Sequence, residues 1–227
     1  MPPLAQRLLA VQQRIHQAAN TSARDPGSVR LIAVSKTRPP EDVREALSLG
    51  QREFGENYLQ EALPKIQALA DSKIRWHFIG PIQSNKTTPI AEYFDWVHSV
   101  DRAKIARRLN DQRPESLAPL NICLQVNISG EDSKSGISPA ELPALAQAVV
   151  QLPRLRLRGL MAIPEATADA ARQHANFSRL RELLEEVREM AAEADTLSMG
   201  MSADMEAAIA EGATIVRIGT DIFGPRG

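Results

Sequence analysis

The stretch Leu31-Ile32-Ala33-Val34-Ser35-Lys36-Thr37-Arg38-Pro39-Pro40 decides the fold of this chain. Its first four residues are apolar and include branched side chains, which predicts a short buried strand. Side chains alternate along a strand, so Ile32, Val34 and Lys36 lie on one face. Two bulky branched residues followed by a lysine are typical of the inward face of a parallel barrel strand. Pro40 suits the first turn of a helix that follows.

The position of Lys36 at the end of this strand favours chemistry at its amine. Packed aliphatic side chains would lie below the amine, and an open mouth would lie above it. Partial desolvation lowers the pKa of a lysine and makes the amine a better nucleophile towards carbonyl groups. The alternative is a solvated lysine in a strand-to-helix loop. This stretch by itself does not distinguish a reactive lysine from a solvated one.

Composition limits the classes of function. The 227 residues include 27 basic and 28 acidic side chains, a formal net charge of −1, which gives no general attraction to nucleic acid or to an anionic membrane. The single cysteine, Cys123, lies in an apolar run, so we expect a buried thiol and no disulfide or cysteine-based metal site. No apolar run has the length of a membrane span and the N-terminus lacks a signal-peptide pattern, so we expect a cytoplasmic protein.

Eight strand-like segments alternate with helix-like segments along the chain. The predicted strands are Leu31–Val34, Glu53–Asn57, Arg75–Gly80, Asp95–Val100, Leu120–Ile128, Leu155–Ile163, Thr196–Gly200 and Thr214–Ile218. An amphipathic helix over roughly residues 3–20 precedes them. Such alternation indicates parallel βα units, and eight of them favour a closed barrel over an open doubly wound sheet. The prediction is a single α/β domain, residues 1–227: a (β/α)8 TIM barrel with an extra N-terminal helix.

Local patterns also predict helix boundaries and side-chain directions. Asp101 is expected to cap the helix after the fourth strand. The segment Ser138–Glu141 has a capping-box pattern with proline at the first helical position. Trp76 and Phe78 alternate with His77, so we expect the two aromatic residues to pack outward under helices. We expect His77 to be a hydrogen-bonded or packed interior residue and not a catalytic base.

The two loops that follow the last two strands are candidates for anion binding. In (β/α)8 barrels phosphate commonly binds at these loops. One contains Ser202 after a glycine, and the other contains Gly219 and Thr220. Glycine permits close approach of the backbone, and hydroxyl and free amide groups donate to anions. The alternatives are a simple helix cap at Ser202 and a simple turn at Gly219. Asp204 and Glu206 would repel a phosphate unless they point outward.

Arg217 shares a strand face with Ile215, as Lys36 does with Val34. The first and eighth strands are neighbours when the barrel closes. A lysine and an arginine would then stand together in the top layer of the barrel, beside the two loops. The alternative for Arg217 is a structural ion pair, because arginine is rarely buried without a partner. Together these features predict a phosphorylated carbonyl compound held as a Schiff base.

Five stretches carry a resemblance to a known family. They are Ala33–Thr37, Phe54–Tyr58, His77–Lys86, Leu197–Ser202 and Val216–Thr220, in order across nearly the whole chain. With them the sequence resembles the pyridoxal phosphate homeostasis proteins, a family similar to the barrel domain of alanine racemase. The resemblance implies that Lys36 binds pyridoxal 5′-phosphate (PLP) as an internal aldimine and that Arg217 faces the pyridine nitrogen. It also implies that Ser202, Gly219 and Thr220 contact the phosphate. The chain departs from the family in ending at Gly227, where related chains often run a little further.

The remaining polar residues of these stretches have two interpretations each. Asn57 either reaches the cofactor or is a polar loop residue. The residues Gln83, Asn85 and Lys86 either line the mouth of the barrel or cap a helix. Glu131 and Lys134, in the loop after the fifth strand, are expected to be solvated charges.

By this resemblance the protein binds PLP and maintains PLP homeostasis, with little or no turnover. No catalytic residue and no metal ligand is predicted. PLP-dependent apo-enzymes are candidate recipients, and we expect a monomer because the second domain of the racemase is absent from the sequence. One alternative is an amino-acid racemase, which requires a second base on the opposite face of the substrate. Another is a cofactor-free Schiff-base aldolase, which would lack the visible absorption of bound PLP.

Overall fold

Eight parallel strands close into a barrel, with neighbours in chain order. The computed structural model describes residues 2–70, 72–130 and 135–225. Its strands are β1 (Arg30–Val34), β2 (Glu53–Glu56), β3 (Arg75–Phe78), β4 (Trp96–Val100), β5 (Leu120–Gln125), β6 (Leu155–Met161), β7 (Thr196–Ser198) and β8 (Ile215–Ile218). β1 pairs with β8 and places Ile32 opposite Arg217, which closes the barrel. The predicted (β/α)8 barrel is confirmed.

Helices surround the barrel, and one of them precedes it. They are α1 (Leu4–Thr21), α2 (Pro40–Ser48), α3 (Leu59–Ala68), α4 (Thr87–Tyr93), α5 (Ala103–Gln112), α6 (Leu142–Val150), α7 (Ala170–Arg188), α8 (Met205–Ala210) and α9 (Thr220–Phe223). Short 3₁₀ turns cover Pro26–Ser28, Ser84–Lys86 and Pro139–Glu141. Pro40 begins α2 as expected. The extra helix α1 packs mainly on α8 and α9, the helices that follow β7 and β8. None of the helices in the described ranges is both long and apolar enough to cross a membrane.

The barrel has an outer and an inner core. Between sheet and helices, Trp76 and Phe78 are buried with the helix side chains, which confirms their outward direction. Inside the barrel, a separate cluster contains Ile32, Val34, Ile79 and Ile215. This confirms the inward face predicted for β1 and β8. Burial of one such side chain contributes roughly 1.5–3 kcal/mol, so these residues stabilise the barrel interior below the end of β1.

A second interior cluster contains Trp96, Cys123 and Met161. The thiol of Cys123 is fully buried, as expected, and burial raises its pKa to about 12. A thiol with such a pKa is not a nucleophile at neutral pH. No group of three or more His, Cys, Asp or Glu side chains that could hold a metal ion occurs within the described ranges.

Several predicted boundaries were wrong. Strand β5 ends at Gln125 and not at Ile128, because the chain turns there and Asn127 N donates to Ile137 O at 2.8 Å. The cap predicted at Asp101 is also wrong: α5 has Arg102 at its N-cap position, and the Asp101 carboxylate instead lies 3.7 Å from the Arg102 guanidinium. The capping box at Ser138–Glu141 is present, on a 3₁₀ turn that leads into α6.

Candidate functional site

A cavity of about 310 Å³ lies at the carboxyl ends of the strands. All six residues predicted for the site line it: Lys36, Asn57, Ser202, Arg217, Gly219 and Thr220. The apolar part of the lining includes Val34, Ile79 and Ile163. Larger grooves of about 570 and 580 Å³ flank α1 on the outside of the barrel. We place the site in the smaller cavity, because this is the end of a (β/α)8 barrel where ligands bind.

Lys36 stands on a tight turn at the end of β1. Arg38 N donates to Ser35 O at 3.1 Å, which closes the turn. Thr37 has a φ of 63°, a left-handed conformation that costs a branched residue free energy. The conformation is held from α3, because Thr37 N donates to Glu61 Oε2 at 2.7 Å. The turn therefore orients the lysine by hydrogen bonds on both sides of it.

A buried ion pair supports this turn from below. Lys65 Nζ lies 2.8 Å from Glu56 Oε1 and donates to Ser35 O at 2.7 Å. Ser35 Oγ donates to the same carboxylate at 2.6 Å. The side chains of Lys65 and Glu56 are 5% and 0% exposed. Burial raises the pKa of Glu56, and the lysine opposes that rise. Sequence reasoning missed the pair, although Glu56 shares the outward strand face with buried Phe54.

Arg217 points into the barrel and lines the cavity. Its guanidinium donates to Ser198 Oγ at 2.7 Å and to Ala162 O at 2.9 Å. Within the part of the chain that the structure describes, no carboxylate forms an ion pair with it, and its partners are one hydroxyl and one backbone carbonyl. Burial lowers its pKa to about 10, so it stays charged at neutral pH and can only donate hydrogen bonds.

Two buried histidines continue the network below Arg217. His98 Nδ1 lies 2.7 Å from Ser198 Oγ, and His98 Nε2 lies 2.9 Å from His77 Nδ1. His77 Nε2 lies 3.2 Å from Glu53 Oε2. His77 is thus an interior, hydrogen-bonded residue as expected. His98 and Ser198 were missed, although both alternate with outward-facing neighbours on their strands.

The direction of hydrogen bonding in this network follows from Arg217. Because a guanidinium only donates, the Ser198 hydroxyl accepts from it and keeps its own proton available for His98 Nδ1, the assignment adopted here. His98 then donates to His77, which faces the Glu53 carboxylate. Both histidines are neutral in this arrangement. Burial is the main cause that lowers the pKa of each, and the pKa of His98 lies well below its usual value.

The two predicted anion loops lie on one side of the cavity. Gly200 has a φ of 95°, and a Cβ there would lie 2.7 Å from Ala208 Cβ, so only glycine fits this turn. The alternative of a helix cap at Ser202 is wrong, because α8 begins at Met205 with Asp204 at the N-cap position. The loop extends two residues beyond Ser202, and within it the Asp204 carboxylate accepts from Met201 N at 2.6 Å. Ser202 is therefore not used as a helix cap.

The loop after β8 brings backbone close to the cavity. A Cβ on Gly219 would lie 3.3 Å from Val34 O, so a larger residue would crowd the end of β1. Thr220 begins α9 and its side chain is exposed to solvent. Within the described ranges, no protein acceptor takes the amide N–H groups of Ser202, Ala203 and Gly219. Free amides and two hydroxyls on one side of a cavity are the donors that a phosphate requires.

Asn57 lies between this cavity and a neighbouring groove. The groove has a volume of about 280 Å³, and its lining includes Tyr58, Gln83 and Lys86. These last two residues therefore lie beside the Lys36 cavity and do not line it. Asn57 Oδ1 is buried, and among the described residues it has no hydrogen-bond partner. Glu131 and Lys134 lie outside the described residues.

Comparison with known proteins agrees with this barrel. The family model for the N-terminal domain of alanine racemase matches residues 7–227, which gives the general class. The pyridoxal phosphate homeostasis protein of Pseudomonas aeruginosa is 65% identical, covering 100% of this chain and 97% of that protein. The protein of the same name from Escherichia coli is 52% identical over 100% of this chain and 98% of that one.

A solved structure adds a ligand on a similar barrel. PipY of Synechococcus elongatus, with PLP bound, has a TM-score of 0.82 and 39% identity, over 98% of this chain and 100% of that one. The present chain therefore belongs to the pyridoxal phosphate homeostasis proteins, within the alanine racemase N-terminal domain class.

Proposed function

We propose that this protein binds PLP through a Schiff base with Lys36 and maintains the cellular PLP supply, with little or no turnover. The observation that carries the proposal is the convergence of six residues on one cavity. A lysine and a buried arginine face it, and two loops with free donors flank it. Its volume of about 310 Å³ lies at the lower end of the usual range for small-molecule sites. The PLP complex of PipY supports the choice of ligand.

Each lining residue has a role that fits its chemistry. Lys36 supplies the amine that bonds to the cofactor carbonyl carbon. Ser202, Thr220 and the free loop amides bind the phosphate, and Arg217 faces the ring nitrogen. Bound PLP supplies an electron sink, and a guanidinium that only donates leaves the ring nitrogen unprotonated and weakens that sink.

The proposed lack of turnover rests on the side chains around the cavity. Racemisation needs one base on each face of the substrate. Apart from Lys36, the described residues that line the cavity include no histidine, tyrosine, cysteine, aspartate or glutamate. The protein would then hold PLP and release it to apo-enzymes, acting as a cytoplasmic monomer. Lys36-dependent racemisation of an L-amino acid over many turnovers would contradict this part of the proposal.

The covalent link to Lys36 is tested by spectroscopy and peptide mapping. Purified protein titrated with PLP should gain a visible absorption band, and borohydride should then fix the cofactor on Lys36. Lys36→Ala should abolish the reducible adduct. The matched control is Lys86→Ala, because Lys86 lines the neighbouring groove and not this cavity. An adduct mainly on another lysine would show that the assignment is wrong, and absence of any band would contradict the function itself.

The phosphate contacts are tested by removing two hydroxyls. The double variant Ser202→Ala/Thr220→Val should weaken PLP binding roughly ten- to a hundredfold, because hydrogen bonds to a charged group contribute about 1.5–3 kcal/mol each, less compensation by water. Pyridoxal, which lacks the phosphate, should lose much less affinity. Thr88→Val, at an exposed position on α4, is the control. Equal losses for both ligands would place the phosphate elsewhere.

A further inference from the structure

Arg14, on the extra N-terminal helix, contacts both anion loops from behind. Its Nε and one terminal nitrogen lie 2.9 and 3.1 Å from the two carboxylate oxygens of Glu206, a bidentate contact. The other terminal nitrogen donates to Asp221 Oδ2 at 2.7 Å. A fourth contact, of 3.0 Å, reaches the backbone carbonyl of Ser202. One side chain of α1 therefore connects the loop after β7 with the loop after β8.

The two carboxylates that Arg14 contacts lie at the starts of the helices that follow the two anion loops. Glu206 lies in the first turn of α8, and Asp221 lies in the first turn of α9. These turns follow the loops whose free amides and hydroxyls face the cavity. A carboxylate turned towards that cavity would repel a phosphate. Both carboxylates instead point outward to the arginine, and hydrogen bonds to Glu206 in particular raise the pKa of Arg14.

We propose that Arg14 is a positioning residue for the phosphate site. Its guanidinium holds Glu206 and Asp221 away from the cavity and neutralises part of their charge. The inference rests on the proposed function and extends it: the N-terminal helix would determine how strongly the barrel prefers a phosphorylated ligand. Arg14 would act only through the two loops, because it does not line the cavity. Its effect should therefore depend on ligand charge and on ionic strength.

The test compares three probes on wild type and Arg14→Gln: PLP, pyridoxal and inorganic phosphate. We expect the variant to bind PLP about tenfold more weakly at low salt, a difference typical of an altered charge balance near a partly exposed site. Pyridoxal affinity should change less than about twofold, and thermal stabilisation by inorganic phosphate should fall. Because the ion pairs are partly exposed, the loss for PLP should shrink at high ionic strength.

Two further variants separate charge from packing. Arg7→Gln removes another contact between α1 and α9, the 2.6 Å bond from Arg7 Nε to Ile222 O. Arg7 forms no ion pair with a described carboxylate, so this variant should leave the preference for PLP over pyridoxal unchanged. The triple variant Arg14→Gln/Glu206→Gln/Asp221→Asn should regain most of the PLP affinity, because it removes the uncompensated charges together with the arginine.

Three results would overturn the inference: an unchanged PLP affinity in Arg14→Gln, equal losses for PLP and pyridoxal, or no recovery in the triple variant. Wild-type protein that binds neither PLP nor phosphate would contradict the proposed function itself. If the wild-type protein binds PLP and phosphate, and Arg14→Gln binds them with the same affinities, only the role of Arg14 is contradicted.

Discussion

Replacing Lys65 with methionine should lower the free energy of unfolding by about 3–5 kcal/mol, the usual cost of removing one partner from a buried ion pair. The variant leaves the Glu56 carboxylate fully buried without its cation. It also removes the bond from Lys65 to Ser35 O, which supports the turn that carries Lys36. Urea unfolding at neutral pH measures the change. We also expect slower formation of the Lys36 adduct in the variant.

Controls for Lys65→Met come from the same chain. The double variant Lys65→Met/Glu56→Gln should recover part of the loss, because no unpaired charge remains. Arg44→Gln breaks an exposed pair with Glu41, 3.9 Å apart, and should cost less than about 1 kcal/mol. If Lys65→Met were no more destabilising than Arg44→Gln, the buried pair would not support the fold as argued. If Lys65→Met failed to fold, Glu56→Gln would provide the measurement.

Stability should fall steeply when the pH drops below about 6.5, the unperturbed histidine pKa. His77 and His98 are fully buried, and burial lowers the pKa of both. Below that pH the unfolded chain therefore binds protons that the folded chain does not. The stabilisation is complete above about pH 6.5 and is lost as the pH falls towards the folded pKa values, at up to about 1.4 kcal/mol per histidine per pH unit.

Urea unfolding between about pH 7.5 and 5.5 tests this dependence, above the range where most carboxyl groups titrate. His98→Gln keeps an acceptor and a donor in the network but removes one titrating group, so its pH slope should be about half that of wild type. His16→Gln, at an exposed position on α1, is the control for the loss of a histidine outside this network. If the free energy of unfolding of the wild type did not change with pH over this range, the neutral state of His77 and His98 would be contradicted. Equal slopes in the two variants would contradict the role of His98.

Sequence analysis correctly predicted the features that depend on the residue pattern within a single strand or helix. Barrel strands are buried on both faces, so short apolar runs separated by helical patterns were enough to locate eight of them in order. Strand alternation placed Lys36 and Arg217 on inward faces, and the structure brings both to one cavity. Strand ends and caps were less accurate. Asp101 and Ser202 both have cap-forming side chains, but the helices begin later, at Ala103 and Met205.

The sequence by itself determined the order of the elements, the inward faces of β1, β3 and β8 and the residue types at the mouth of the barrel. Only the tertiary structure decided which polar groups meet. Arg14 reaches Glu206 across 192 residues and Asp221 across 207, and His98 reaches Ser198 across 100. The physical reason is that periodicity describes one element at a time. Contacts between distant residues depend on barrel closure and on the register of β1 against β8, which no local pattern contains.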